Sequence, residues 1–259
     1  MRARLLRFIQ VVFFLAVLAV FGWGSYKVVH FLRTAPPFEV NALAVTGVNG
    51  PLKRVTEGEV VGQAEFEVGT NVFRVDLEAM RERVERLQWV RQAIVQRVLP
   101  DQIIIKVVER EPIGLGRLRG EIYQFDEDAA ILDLDSASTT SFPILDGLRR
   151  NNAEANQKKV ALYRKVLEEL GQTELSEIHI NDAGEVSVVS ASDPLVVSLG
   201  TSDFHTRWVR YLQLKTQIQQ QYPQAMKIDL RFKNQVIVSM KDDENTSEQV
   251  IWDGAKKSL

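Results

Sequence analysis

The side chains best able to bind a metal or relay a proton are three histidines, His30, His179 and His205, and none has a ligand-type partner four residues away. His179 alternates with Ile178 and Ile180, the pattern of a strand residue facing solvent. The carboxylates Asp126, Glu127, Asp128, Asp133 and Asp135 are numerous enough to supply the acid pair of glycoside chemistry. Acid-rich turns between short strands are more commonly just solvated, and that is the expectation adopted for them. Gly114, Gly116 and Gly120 suggest a dinucleotide loop, but the second spacing is one residue too long and no helix pattern follows to meet a phosphate. Phosphate-binding Walker, G-x-S-x-G and S-x-x-K sequences are absent. With no cysteine, thiol catalysis, Fe–S clusters and disulfides are excluded. Asn245-Thr246-Ser247 is a glycosylation sequon only in a eukaryotic secretory route. The residues therefore point away from catalysis and from any cofactor or metal, and toward surfaces for partners.

The charge is unevenly placed. Residues 1–33 hold Arg2, Arg4, Arg7, Lys27 and Arg33 with no acid, so a net charge of −2 leaves −7 on the rest. A mildly acidic body does not suit nucleic acid. Phe8 to Tyr26 is an uncharged apolar run of about 28 Å as a helix, close to a hydrocarbon core of about 30 Å. Bulky Trp23, Tyr26 and Lys27 follow in place of a small-residue cleavage site, so the run reads as an uncleaved anchor. The basic N-terminus then stays in the cytoplasm and everything after Tyr26 crosses. On this reading 1–7 is a cytoplasmic tail, 8–26 the transmembrane helix and 27–37 a linker stiffened by Pro36-Pro37.

Beyond the linker the patterns divide in two. Residues 38–112 read as strand, two short helices and two strands. Glu39 to Val45 is strand-like, Thr56 and Glu59 make a capping box, and Asp76 can cap a helix carrying Leu77, Met80, Val84 and Leu87. Ala93 to Val98 and Ile103 to Val108 flank the turn Leu99-Pro100-Asp101. Such an order lays two helices on one face of a small sheet. Residues 113–241 read as short strands with a helix from about Ala153 to Leu170, stopped by Gly171. A second helix is opened by Thr201 or Ser202 and carries Trp208, Tyr211, Leu212, Ile218 and Tyr222. The last hairpin pairs Lys227–Phe232 with Gln235–Lys241, and the polar residues 242–259 read as a flexible tail. With no strand pattern after Lys241, that final strand is a candidate sheet edge, whose free N–H and C=O groups would accept a partner strand.

An ordered set of residues now resembles one family. Trp89-Val90, Ala93, Val95, Arg97, Leu99-Pro100-Asp101, Ile103, Ile105, Val107, Glu109-Arg110 and Pro112 are similar to the POTRA domain of the FtsQ/DivIB bacterial cell-division proteins. So are Gly69-x-Asn71-Val72-Phe73-x-Val75-Asp76-Leu77, Pro143-Ile144-Leu145-Asp146-Gly147, Val197-Ser198-Leu199-Gly200 and Ile228-Asp229-Leu230-Arg231-Phe232. The resemblance implies an α+β protein: one N-terminal transmembrane helix, a β-α-α-β-β POTRA domain, then an antiparallel β domain with helices on one face. It implies a non-enzymatic, single-pass inner-membrane scaffold at the division septum, with its domains in the periplasm, linking early and late division proteins. The implied partners are FtsB- and FtsL-like proteins, captured by strand addition at the last β-domain strand, with no nucleic acid and no small-molecule substrate. Carried over by position, the partner-binding residues are Arg231, Phe232, Asn234, Val236, Val238 and Met240. Phe232 stands where the family often has Tyr, and Met240 where some relatives have Trp. Trp89, Arg97 and Glu109 read as structural, an aromatic core anchor and cross-strand charges. The competing readings are a membrane-anchored periplasmic hydrolase built on the acids of 126–146, and a different POTRA-type assembly scaffold. The barrel-forming kind of the latter needs a long series of membrane strands for which the chain has no room.

Overall fold

The computed structural model describes residues 2–134, 141–150, 152–172, 174–241 and 246–253. The apolar N-terminal run forms α1 (Arg2–Thr34), one unbroken helix most of whose large side chains from Val12 to Phe31 are exposed rather than packed. Residues 27–34, expected as linker, continue this helix, because nothing before Pro36 removes a backbone donor. The chain divides at Arg110–Glu111 into two compact units, α1 belonging to the first.

In the first unit β1 (Ala42–Gly47), α2 (Glu57–Ala64), α3 (Leu77–Val84), β2 (Val90–Val98) and β3 (Gln102–Glu109) form a sheet ordered β1-β3-β2, with β1 parallel and β2 antiparallel to the central β3. The capping box opens α2 through both of its reciprocal bonds, and Asp76 accepts from the Glu78 and Ala79 N–H groups to open α3. Val60, Ala64, Met80 and Val84 pack on Val45, Ala93, Ile103, Ile105 and Val107, all buried.

Arg97 and Glu109 are structural, but not as cross-strand charges. The Arg97 guanidinium donates to the Val72 and Val75 carbonyls at 2.8 and 2.6 Å. The Glu109 carboxylate accepts the N–H groups of Lys53, Arg54 and Val55 at 2.7–3.1 Å, closing a loop that has no ladder of its own. The Trp89 ring is only half-buried and lies 5.0 Å from the Arg54 guanidinium.

The second unit is one ten-stranded sheet: β4 (Pro112–Leu118), β5 (Glu121–Asp126), β6 (Ile131–Leu132), β7 (Ile144–Asp146), β8 (Leu175–Ile180), β9 (Val186–Ser190), β10 (Asp193–Gly200), β11 (Ala225–Asp229), β12 (Gln235–Lys241) and β13 (Thr246–Asp253). Across the sheet they run β13-β12-β11-β10-β9-β8-β7-β4-β5-β6. Helices α4 (Ala153–Leu170) and α5 (Phe204–Gln221) contribute Val160, Tyr163, Val166, Phe204, Trp208 and Tyr211 to a single core with the inward residues of the strands.

The sheet is mixed rather than purely antiparallel. α4 joins β7 to β8 and α5 joins β10 to β11, and a helical crossover returns the chain parallel to where it left. α5 starts after Asp203 rather than Thr201 or Ser202, with Asp203 at a left-handed φ of 55°. Gly114 and Gly116 belong to β4 and face the core. A side chain on Gly114 would collide with Phe125 and come within 2.9 Å of the Tyr163 hydroxyl, and one on Gly116 within 2.7 Å of Leu148. Their spacing follows strand alternation, two residues to the same face, and has nothing to do with phosphates.

Candidate interaction site at the C-terminal margin of the sheet

A sheet offers unpaired backbone only at its two edges. In the second unit one edge is β6, two residues long, and the other is β13, with eight. β13 pairs with β12 over seven positions, from Gln235↔Asp253 to Lys241↔Thr246, with a bulge between Val236 and Ile237. β11 holds the opposite side of β12 through Ile228↔Val238 and Asp229↔Ile237. Two expectations are corrected. Residues 246–253 form a strand and not a loose tail, and β12 is an internal strand whose backbone is used on both sides.

The six candidate residues separate accordingly. Val236 and Val238 are wholly buried in the core, so they hold the helices and offer nothing outward. Met240 packs against the same core. Asn234 is exposed in the β11–β12 connection, and the Phe232 ring beside it is 45% exposed. The carbonyls of Phe232 and Lys233 accept from Arg210 of α5, both at 3.1 Å, which fixes this connection on the helix. Arg231 is committed within the molecule. Its guanidinium bonds Asp229 Oδ2 at 2.7 Å and Glu185 Oε1 at 2.7 Å. Burial works against the Asp229 charge, but Arg231 outweighs it and holds that carboxyl below its ordinary range. Glu185 is likewise depressed, by the Asn181 amide first and by Arg231 second. The structure thus brings Phe232 and Asn234 together at the margin and withdraws Arg231, Val236, Val238 and Met240 from it.

A second cluster lies across β4, β7 and β8, where register aligns Arg117, Asp146 and His179. His179 Nδ1 is 3.2 Å from Asp146 and Nε2 is 3.2 Å from Glu177. Three ligand-type residues so close could hold a cation. The Arg117 guanidinium is itself the cation these acids face, at 3.1 Å from Asp146 and 2.8 Å from Glu177, and they raise its affinity for its proton. His179 is therefore half-exposed at one corner of an ion-pair network, as its alternation implies. Sequence reasoning missed the grouping because its members come from three separated segments. The competing hydrolase reading draws on the acids of 126–146, and the first of these serves its own turn. Asp126 spends a carboxylate oxygen on the N–H groups of Asp128 and Ala130 at 3.0 and 2.8 Å, closing its own turn, and Asp135 falls outside the described residues.

Two family models match this chain: the FtsQ-type POTRA domain over residues 45–110, and the C-terminal domain of the cell division protein FtsQ/DivIB over residues 117–231. The chain belongs to the FtsQ/DivIB family of cell-division proteins. The division at Arg110–Glu111 falls between the two matched segments. A cell division protein FtsQ from Koribacter versatilis is 27% identical over 201 residues, 73% of this chain and 58% of that protein. This chain therefore spans little more than half the length of that relative. FtsQ proteins from Syntrophotalea carbinolica and Nitrosospira multiformis are 24% and 29% identical, the alignments covering 73% and 78% of this chain and 70% and 82% of theirs. The solved extracytoplasmic domain of DivIB from Geobacillus stearothermophilus covers 44% of this chain and 97% of its own at 18% identity and a TM-score of 0.29, too slight a likeness to carry weight. The FtsQ-type match of 45–110 replaces the reading of a different POTRA scaffold, and α1 supplies the one helix among the described residues long and apolar enough to span a membrane.

Proposed function

We propose that this cell-division protein is a non-catalytic, single-pass scaffold, its basic N-terminus in the cytoplasm and its two units beyond the membrane at the septum. On this reading a second membrane protein of the FtsB–FtsL kind joins by adding a strand along β13. The observation that carries it is the asymmetry of the sheet's edges, eight residues at β13 against two at β6. The strand addition expected at β12 thereby moves outward by one strand and remains at the last strand of the domain. Backbone pairing is tolerant of side-chain change, which suits a surface with Phe232 where relatives often carry Tyr. Confinement to a membrane raises the effective concentration of two anchored partners, so weak pairing suffices and stays reversible.

The test is photocrosslinking in dividing cells from positions Phe232, Asn234 and Gln249, with FtsB- and FtsL-like proteins identified by mass spectrometry. Capture from Gln249 and Asn234 is expected, and it should fall at least severalfold in a chain ending at Lys241. Undiminished capture by the shortened chain would mean that β12 is the acceptor and β13 merely its cover. Failure to trap either protein from any position would remove the partner assignment.

A further inference from the structure

The membrane helix does not end in a free tether. At its last turn Thr34 Oγ1 donates to the His30 carbonyl at 2.8 Å and the Ala35 N–H to the Phe31 carbonyl at 2.9 Å. The Asn71 side-chain amide, on a residue only 8% exposed, reaches back to the Leu32 carbonyl at 3.0 Å. Ala35 is buried, and the Phe38 ring meets Phe73 edge-on at 5.3 Å. Helix and POTRA unit therefore share a fixed joint, and one end of that unit faces the bilayer.

Backbone bonds identify that end. The Val40 N–H bonds the Thr70 carbonyl at 2.9 Å and the Gly69 N–H bonds the Val40 carbonyl at 3.1 Å. The Asn41 N–H bonds the Asp101 carbonyl at 3.0 Å. The loop holding Val68 and the β2–β3 turn holding Leu99 thus flank the joint. Val68 is 76% and Leu99 58% exposed, with Val98 beside them partly open. The apolar surface of α1 runs up to the same place through Val28, Val29 and Phe31, all well exposed. From Phe8 to Leu32 only Lys27 is charged, a stretch of about 38 Å as a helix against a hydrocarbon core of about 30 Å. Tilt, local thickening of the bilayer or a lowered joint absorbs the surplus, and tilt or a lowered joint brings the base of the POTRA unit to headgroup depth.

We propose that Val68 and Leu99 form an apolar foot seated in the interfacial layer of the bilayer, holding the POTRA unit down on the membrane. This rests on α1 being the membrane anchor. Glu67 and Asp101 are chain neighbours of Val68 and Leu99, and Arg33 and Arg74 lie in the segments that form the joint, so the attraction is assigned to the apolar side chains and not to anionic lipid.

The chain has no cysteine, so single labels can be placed without background. The full chain is reconstituted in phosphatidylcholine vesicles as V68C, L99C, N49C and F21C, each carrying a polarity-sensitive fluorophore, with nitroxide lipids as quenchers. Asn49 lies in the turn after β1, at the opposite end of that strand from the joint, and Phe21 lies within the anchor. Labels at 68 and 99 are expected to emit to the blue of the label at 49 and to be quenched severalfold more by nitroxides near the headgroups. Exchanging part of the lipid for phosphatidylglycerol should not strengthen the quenching. Labels at 68 and 99 that match 49 while 21 is quenched would overturn the foot and leave the anchor standing. A label at 21 that escapes quenching would overturn both.

Discussion

Arg231 lies where the family resemblance places partner contacts, yet it bridges Asp229 on its own strand end to Glu185 in the β8–β9 turn. Its side chain is 39% exposed, so the ion pairs are screened and their joint worth is modest. Both carboxyls are held below their ordinary range, which means the folded protein binds fewer protons there than the unfolded chain. Stability from this source is present above the unfolded carboxylate range near pH 4 and is lost as acid titrates the depressed groups. Arg231→Ala should therefore cost about 1 kcal/mol at neutral pH through the Asp229 contact. The gap from the parent should close as the pH falls through and below the ordinary carboxylate range at about pH 4. Urea melts at a series of pH values will show this, and a gap independent of pH would assign the loss to packing of the arginine stem. The same substitution should leave crosslinking at Asn234 unchanged if Arg231 serves the fold and not the partner.

At the scale of elements, what could be read from the chain depended on where each signal was written. The helices announced themselves locally. Thr56 with Glu59, Asp76, and the run closed by Gly171 each carry cap and apolar face within one segment, and α2, α3 and α4 occur there, α3 stopping at Val84 short of the expected Leu87. β13 was invisible because Thr-Ser-Glu-Gln-Val-Ile-Trp-Asp has no two-residue alternation of apolar and polar side chains. A strand at a margin is held by backbone bonds to one neighbour, and sequence pattern reports side-chain burial and not pairing. The parallel pairs escaped notice for a related reason, since they follow from which strands the crossover helices connect. The candidate site suffered most: alternation marks Val236 and Val238 as sharing one face, but not whether that face is core or contact surface. Hydrogen exchange separates cover from edge. In a chain ending at Lys241, alternate amides between Val236 and Met240 should lose protection while the set bonded to β11 keeps it. Unchanged exchange across the whole strand would mean that β13 does not pair with β12 in solution.

For the whole molecule the decisive fact is that two cores exist and share no residue, one built on Met80, Ile103 and Ile105, the other on Phe125, Tyr163 and Tyr211. Each buries its own sheet face under its own pair of helices, so each has what cooperative unfolding requires. For the scaffold proposed above this matters, because strain on the margin at β13 need not propagate into the unit fixed to the membrane helix. The consequence is measurable by calorimetry of the full chain in mild detergent, where two transitions are expected. Met80 is 1% exposed, and Met80→Ala should cost about 2–5 kcal/mol in its own unit. On a unit of this size that lowers one transition by roughly 10 °C or more and leaves the other in place. Val188→Ala, in the second core, should move only the transition that Met80→Ala spares. If either substitution shifted both transitions equally, the junction at Arg110–Glu111 would have to transmit stability, and binding along β13 would then be felt at the membrane joint.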